Sequence, residues 1–566
     1  MIVNEGWRVG VWRTGAATAL LLSVGFSDVA AAPLEPGALM NILEKPVEGP
    51  PKAPPAINLD GSQGGDKNGP VRDNGVKVRV DSFHITGATV FPQDRLLELL
   101  DSFKGRELTF AELNDAVQRL TGFYRDQGYF VATAYLPPQE LTPNKEGAVV
   151  LHIAVVEGRL GAVHVNGTER FSEERAREFL APLATEEVLL AKDVERRLLL
   201  LGDVPGVAVQ STMKPGKAPG TSDLDVVTTG QPLFSGSLDV SNYGSQYTGD
   251  YRGGLTLNVN NPLGIGDQIT LRGITSEDKM WFGRVGYALP VNTMGTRVGG
   301  YYSEMNYDLN GNLSTIGGDG SSYGLFASHP FIRSRLYNLY GQLAWDRKLS
   351  NQEVGGILST RERPDVYTAS VSGDLRDGWG GGGMNTYELS LGHIVNNSLP
   401  VTSVGQGSNN KLNASMARLQ SLFGPASLYV AGSGQYSGDN LISSEQFRLG
   451  GPSGVRAYPQ GEGSGDSGFL LSADLRYDLP FGEALLGSTT QAVLFGDVGG
   501  VHLNTPVPGT ETDRTLSGVG VGLNLFNTPH QFSIKWNLAT QLGNEPVTSD
   551  SRQGGSRTWI QLVKWF

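Results

Sequence analysis

At 566 residues the chain exceeds one ordinary domain, and its net charge of −12 argues against a general nucleic-acid binder. It contains no cysteine, which excludes disulfides and thiolate sites and suits an exported protein. After the N-terminus no run of 18 apolar residues occurs, so no spanning helix is expected, while 77 glycines and 19 tyrosines suit strands, turns and interfacial aromatics.

Residues 1–31 read as a secretory signal. Arg8 and Arg13 supply the positive start and Ala16 to Phe26 a short apolar core. Val29-Ala30-Ala31 is a small-residue cleavage site, with Pro33 disfavouring a cut after Ala32. Residues 32–75 are rich in Pro, Gly and polar side chains and cannot bury a core, so they read as a linker. Within it, Gly37 to Lys45 is either a sticky segment without fixed structure or a short helix that sits in a pore.

Residues 76–158 change texture. Val76 to Thr86 alternates as a strand, and Pro92 to Phe103 reads as helical. Thr109-Phe110-Ala111-Glu112 is a capping box opening a helix whose apolar face is Phe110, Leu113, Val117, Leu120 and Tyr124. Gly128 ends it, and Tyr129 to Leu136 and Ala148 to Val156 are strands, giving the order β-α-α-β-β. Residues 159–229 repeat that order, with helices at Ser172 to Leu180 and Lys192 to Leu201 and strands at Ala162 to Val165, Val207 to Thr212 and Leu224 to Thr228. Two small α+β modules therefore precede the rest.

From residue 230 to 566 the chain is written in twos. In Ser472 to Leu479, Ala, Leu, Tyr and Leu fall on one side of an extended strand and Ser, Asp, Arg and Asp on the other. Tyr251 to Asn260, Val519 to Leu525 and Gln531 to Leu538 follow the same script. Apolar outside and polar inside is the pattern of a membrane β-barrel, and export plus a barrel places the protein in a Gram-negative outer membrane. Sixteen strands allow about 21 residues each; fourteen or eighteen fit the same length. Phe447 to Gly468 is Gly-rich, polar and long, so it is a loop between strands. In the strand around residue 497, Phe495, Asp497 and Gly499 share the lumenal face, where an Arg on a loop folded into the lumen would meet a carboxylate in a charge-assisted, bidentate bond. Gly518, Gly520 and Gly522 face inward nearby and leave room for backbone. At the end of the chain, Ile560, Leu562 and Phe566 face one way, and Lys564 interrupts that face where its amine can snorkel.

Several of these pieces carry a resemblance. Tyr124-Arg125-Asp126-Gln127-Gly128-Tyr129, Ala134-Tyr135-Leu136-Pro137-Pro138-Gln139, Val155-Val156-Glu157-Gly158-Arg159 and Leu201-Gly202-Asp203-Val204-Pro205-Gly206-Val207 resemble the POTRA modules of two-partner-secretion transporters. Val455-Arg456-Ala457-Tyr458 and Phe495-Gly496-Asp497-Val498-Gly499 are similar to that family's barrel signatures, V-R-G-[FY] and F-x-[DN]-x-G. The resemblance, to the haemolysin secretion/activation proteins of the ShlB/FhaC/HecB type, covers about residues 76 to 566. The fold expected is a membrane β-barrel, with 16 antiparallel strands favoured among the numbers that fit its length; the resemblance implies two periplasmic POTRA modules before it and the loop at about 444–468 inserted in the lumen. It implies a loop lock between Arg456 and Asp497, supported by Val455, Ala457, Tyr458, Phe495 and Gly499; Ala457 stands where the family usually has Gly. The terminal Phe566, with Leu562 and Ile560, resembles the signal by which outer-membrane barrels are recognised for assembly.

The expected function is an outer-membrane pore that takes an unfolded, TpsA-like exoprotein from the periplasm to the cell surface without ATP, since no G-x-x-x-x-G-K-[ST] occurs. Exposed strand edges at Tyr129 to Leu136 and Val207 to Thr212 would add a cargo strand, with Phe110, Leu113, Tyr129, Val131 and Tyr135 as binding candidates. Outer-membrane lipid and the barrel assembly machinery are the other expected partners; no nucleic acid, cofactor or metal is expected. The seven histidines have no ligand spacing for zinc, and Gly463 to Gly468 matches G-x-G-x-x-G only by letter, since no helix follows it. No enzymatic site is expected. The alternatives are an outer-membrane assembly factor of the same superfamily, which typically carries more POTRA modules, and a gated porin, which lacks them.

Overall fold

The computed structural model describes residues 36–44, 56–58 and 77–566, apart from 144, 146, 168–169, 186–187, 397–404, 482–486, 507–510 and 553. The signal read over 1–31 and most of the linker lie outside the described residues. Two short elements come first, helix α1 (Pro36–Leu43) and strand β1 (Ala56–Asn58).

The first module is built from β2 (Lys77–Thr86), α2 (Gln93–Glu98), β3 (Arg106–Thr109), α3 (Phe110–Asp126), β4 (Thr133–Tyr135) and β5 (Val149–Val156). The capping box forms at the start of α3: Glu112 N donates to Thr109 Oγ1 at 3.3 Å and Thr109 N donates to Glu112 Oε2 at 2.8 Å. Leu113, Val117, Leu120 and Tyr124 then fall on one buried stripe against the sheet, whose strand order is β3-β2-β5-β4. The helix expected over Pro92 to Phe103 is broken into α2 and a single 3₁₀ turn at Asp101–Phe103. The strand expected over Tyr129 to Leu136 shrinks to Thr133–Tyr135. Tyr129 turns into the module's own core, and Phe130 and Val131 pack on the second module. Pro137 and Pro138 end the strand because they have no N–H for the ladder.

Glu157, in the Val155 to Arg159 run, ties this module together. Its carboxylate accepts from Thr89 N and Val90 N, both at 2.8 Å, from Tyr124 Oη at 2.9 Å, and from Thr89 Oγ1. Burial alone would raise its pKa, but the bonds from Thr89, Val90 and Tyr124 outweigh burial and hold the carboxyl below the usual glutamate value. The same contact, with burial the larger cause, pushes the Tyr124 phenol up.

The second module consists of β6 (Arg159–Asn166), α4 (Glu173–Leu180), α5 (Ala191–Gly202), β7 (Val207–Pro215) and β8 (Thr221–Gly230). Its sheet order is β1-β7-β8-β6. Val207 to Thr212 is therefore not a free edge: β1 runs parallel to it, Ala56 beside Gln210, Ile57 beside Ser211 and Asn58 beside Thr212. The linker folds back as a strand because β7 presents an unpaired row of backbone groups. The module docks on a periplasmic turn of the barrel. Arg333 grips Asp203 through Nε to Oδ2 at 2.7 Å and Nη2 to Oδ1 at 2.8 Å, and Arg196 Nη2 donates to the Pro330 carbonyl at 2.9 Å.

Sixteen antiparallel strands close the barrel, from Phe234–Ser241 round to Ser556–Trp565, which pairs with it. One strand, Ile357–Glu362 continuing as Pro364–Asp377, is interrupted before Pro364, which has no N–H for the ladder. The alternation sorts residues physically: Leu475 and Tyr477 are exposed to the lipid side, and Asp474, next to Leu475, is buried inward.

Candidate functional site

The lumen is occupied from two directions. From the outer side comes the loop between strands Ala426–Tyr436 and Ser467–Asp478, whose tip carries Val455, Arg456, Ala457 and Tyr458, all buried. Arg456 Nε donates to Asp497 Oδ2 at 2.8 Å, Nη2 donates to Asp497 Oδ1 at 2.7 Å, and the Arg456 backbone N donates to Oδ2 at 3.1 Å. Nη2 also donates to Asp474 Oδ1 at 2.8 Å, and the guanidinium carbon lies 3.5 Å from the centre of the Phe495 ring. Arg456 is 8 % exposed and Asp497 4 %, so each charge is out of water and compensated by the other.

The wall is shaped for this tip. Ala457 sits over Gly518, where a Cβ would stand 2.5 Å from the Ala457 methyl; a side chain there would push the loop out. Ala457 is not among the non-glycine residues with positive φ, so the methyl replaces the family's usual Gly without backbone strain. Gly499 lies under Leu449, and Val455 bridges back to Gly450. Tyr458 Oη donates to the Glu545 carbonyl at 3.4 Å.

Two partners of Arg456 escaped sequence reasoning. Asp474 lies on the inward side of its strand, a signal that was present, but nothing local pairs it with residue 456. Trp559 of the last strand donates from Nε1 to the Arg456 carbonyl at 2.7 Å, a contact with no signal in the sequence.

The second occupant is α1. Leu39, Met40 and Leu43 pack on Ile274, Met280, Phe282, Met305, Tyr307 and Leu309. Asn41 Nδ2 donates to the Ser444 carbonyl, and Lys348 Nζ donates to Asn41 Oδ1 at 3.0 Å and to Glu445 Oε1 at 2.7 Å. Ser303 Oγ and Ser322 Oγ each donate to Glu44 Oε1 at 2.7 Å. Gly37 abuts Ser444, so helix and loop base are in direct contact.

The binding candidates on the first module separate by position. Phe110 and Tyr135 are 52 % and 47 % exposed. Leu113 is buried in the module's core and Tyr129 packs against that core, while Val131 lies in the joint between modules, so these three support the fold instead of presenting a surface. Ile560, Leu562 and Phe566 face lipid, and Phe566 N donates to Gly236 O at 3.1 Å across the closing seam. Lys564 Nζ donates to the His530 carbonyl at 2.7 Å, which satisfies its charge at the barrel rim.

Comparison with known proteins agrees with this architecture. The model for "Haemolysin secretion/activation protein ShlB/FhaC/HecB" matches residues 220–525, and that for "POTRA domain, ShlB-type" matches residues 78–158. The chain is similar to the heme/hemopexin transporter protein HuxB of Haemophilus influenzae (strain 86-028NP), 26% identical over 493 residues that cover 84% of each chain. It is also similar to the outer membrane transporter CdiB of Escherichia coli O6:K15:H31 (strain 536 / UPEC), 26% identical over 78% of this chain and 75% of that one. The solved structure of CdiB from Escherichia coli superposes with a TM-score of 0.69 at 20% identity, covering 95% of this chain and 94% of that one, which shows the shared fold. The lumen-seated loop, the two modules and these matches together place the chain in the ShlB/FhaC/HecB haemolysin secretion/activation family, as an outer-membrane two-partner-secretion transporter.

Proposed function

We propose that this transporter takes up its exoprotein unfolded in the periplasm, threads it through the barrel lumen past α1 and the tip loop, and releases it at the cell surface without ATP. The observation that carries this reading is the lock itself: Arg456 holds a long loop in the lumen through non-covalent bonds to Asp497 and Asp474. A permanent wall would be part of the sheet. A loop held by hydrogen-bonded charges can leave, because water replaces those bonds once the lumen opens.

Module edges supply the capture step. An extended segment, β1, already lies on β7, and a cargo strand would add backbone bonds to the same kind of edge. Tyr135 adds apolar area on the short edge strand β4, and Phe110, at the start of α3, adds more next to β3 at the opposite edge of the sheet. Folding of the emerged cargo outside the cell would make passage one-way. The chain acts as a transporter and not as an enzyme; lipid contacts the outer face, and the closing strand with Phe566 serves recognition by the barrel assembly machinery.

The test is secretion of this transporter's own exoprotein in cells carrying Arg456→Ala or Asp497→Ala. Loss of secretion from an assembled barrel supports the lock. Normal secretion by both variants would remove it.

A further inference from the structure

Glu462 lies on the return limb of the tip loop, is 0 % exposed, and makes no contact with the Arg456 cluster. Its carboxylate is filled by the neighbouring outer loop, residues 542–555. Thr548 N and Thr548 Oγ1 donate to Oε1 at 2.9 and 2.7 Å, and Ser549 N and Ser549 Oγ donate to Oε2 at 2.9 and 2.6 Å. The Arg514 guanidinium pairs with Oε1, and its Nη1 donates to Thr548 Oγ1 at 2.8 Å. The two charged side chains grip different elements, although the tip between them also touches Gly518 and the Glu545 carbonyl. Arg456 engages strands Ser467–Asp478 and Thr489–His502, whereas Glu462 engages strand Asp513–Asn527 and loop 542–555.

A fully buried carboxylate with this many donors is not the cheapest way to hold a loop. Apolar side chains of similar volume often hold as well or better, because each ion must be stripped of water. What an ionic cluster adds is a defined register in the docked state and easy rehydration once undocked. We infer that Glu462 is a second, independent anchor of the tip loop, which leaves the lumen only when Arg456 and Glu462 have both released, and that loop 542–555 is its receiving half. Glu462 touches no cargo and is a positioning residue. The inference rests on the reading of the loop as the channel's lid. It also reaches the barrel seam, since Arg552, on the same outer loop, grips Asp250 beyond the first strand through Nη1 to Oδ2 at 2.7 Å and Nη2 to Oδ1 at 2.8 Å.

The experiment uses the full-length protein in planar bilayers without exoprotein, counting open-channel events, with the heat-modifiable gel shift reporting the folded barrel. Glu462→Gln should raise open events about tenfold or more with the gel shift unchanged, since a hydrogen-bonded charge is removed from the docked state only. Glu462→Asp should restore most of the closed behaviour. Arg456→Ala combined with Glu462→Gln should multiply the two single effects, as independent anchors require. The double variant Glu462→Gln/Arg514→Gln, which leaves no unpaired buried charge, covers the case in which the single variant fails to fold. Wild-type gating by a folded Glu462→Gln barrel would overturn the inference, as would a double variant no more open than Arg456→Ala. Loss of the folded band in both neutralised variants would also overturn it, by assigning the cluster to barrel assembly. Failure of the secretion reading shows elsewhere, as normal export by Arg456→Ala, and leaves the bilayer comparison intact.

Discussion

Arg456 and Asp497 meet in two parallel hydrogen bonds, Nε to Oδ2 at 2.8 Å and Nη2 to Oδ1 at 2.7 Å, with the flat face of the guanidinium on Phe495. Planarity is what this site uses. A fork of donors reads a carboxylate edge while the face of the same group stacks on a ring.

Arg456→Lys should therefore behave nearly as badly as Arg456→Ala. A lysine keeps the charge but reaches only one oxygen and does not stack, and breaking a buried pair costs about 3–5 kcal/mol. Proteolysis of intact protein in detergent should cut the released loop in both variants, while the barrel keeps its heat-modifiable gel shift. A protease-resistant Arg456→Lys loop would show that charge alone suffices.

Gly518→Ala should eject the tip without touching any charge, because its methyl would stand 2.5 Å from that of Ala457. Overpacking of this kind costs about 1–3 kcal/mol. The paired change Gly518→Ala/Ala457→Gly moves the methyl from loop to wall and should restore loop protection in the same proteolysis assay. Equal sensitivity of the single and paired variants would exclude this contact as the determinant.

Leu39→Asp should displace α1 from its seat on Phe282, Met305 and Tyr307. An unpaired carboxylate in that apolar seat is costly, whereas the helix in water loses nothing. Bilayer conductance should show more frequent openings than wild type. Unchanged conductance would mean that α1 does not occlude the path for ions.

The first module should lose stability as pH falls through the depressed pKa of Glu157. The sign follows from linkage: a carboxyl with a lowered folded pKa stabilises above its unfolded value, near 4.5, and that contribution disappears as the folded group takes up its proton at lower pH. Hydrogen exchange at Thr89 and Val90, corrected for intrinsic rates, should report the loss. Glu157→Gln should abolish this dependence and cost about 1–3 kcal/mol at neutral pH. A variant with wild-type protection would remove Glu157 as the module's anchor.

Alternation in Ser472 to Leu479, the capping box at Thr109 and the terminal strand ending in Phe566 were all readable from the chain, because periods of two and 3.6 are local properties of neighbouring residues. The inward side of Asp497 followed from the same period. The shortening of β4 did not, because Phe130 and Val131 look like strand residues until the second module is present to receive them. Leu113 and Tyr129 misled for a related reason: an apolar residue beside an edge reads equally well as binding surface or core.

Side-chain pattern along the chain was thus enough to establish the barrel, the two modules and the inward direction of Asp497. The folded arrangement alone revealed that β1 covers β7, that Asp474 and Trp559 complete the hold on Arg456, and that Glu462 is enclosed by Thr548 and Ser549. The reason is separation. Periodicity is written between adjacent residues, whereas these contacts join separate segments that meet only in the folded chain, β1 and β7 in the second module's sheet and the others where the barrel closes around the loop.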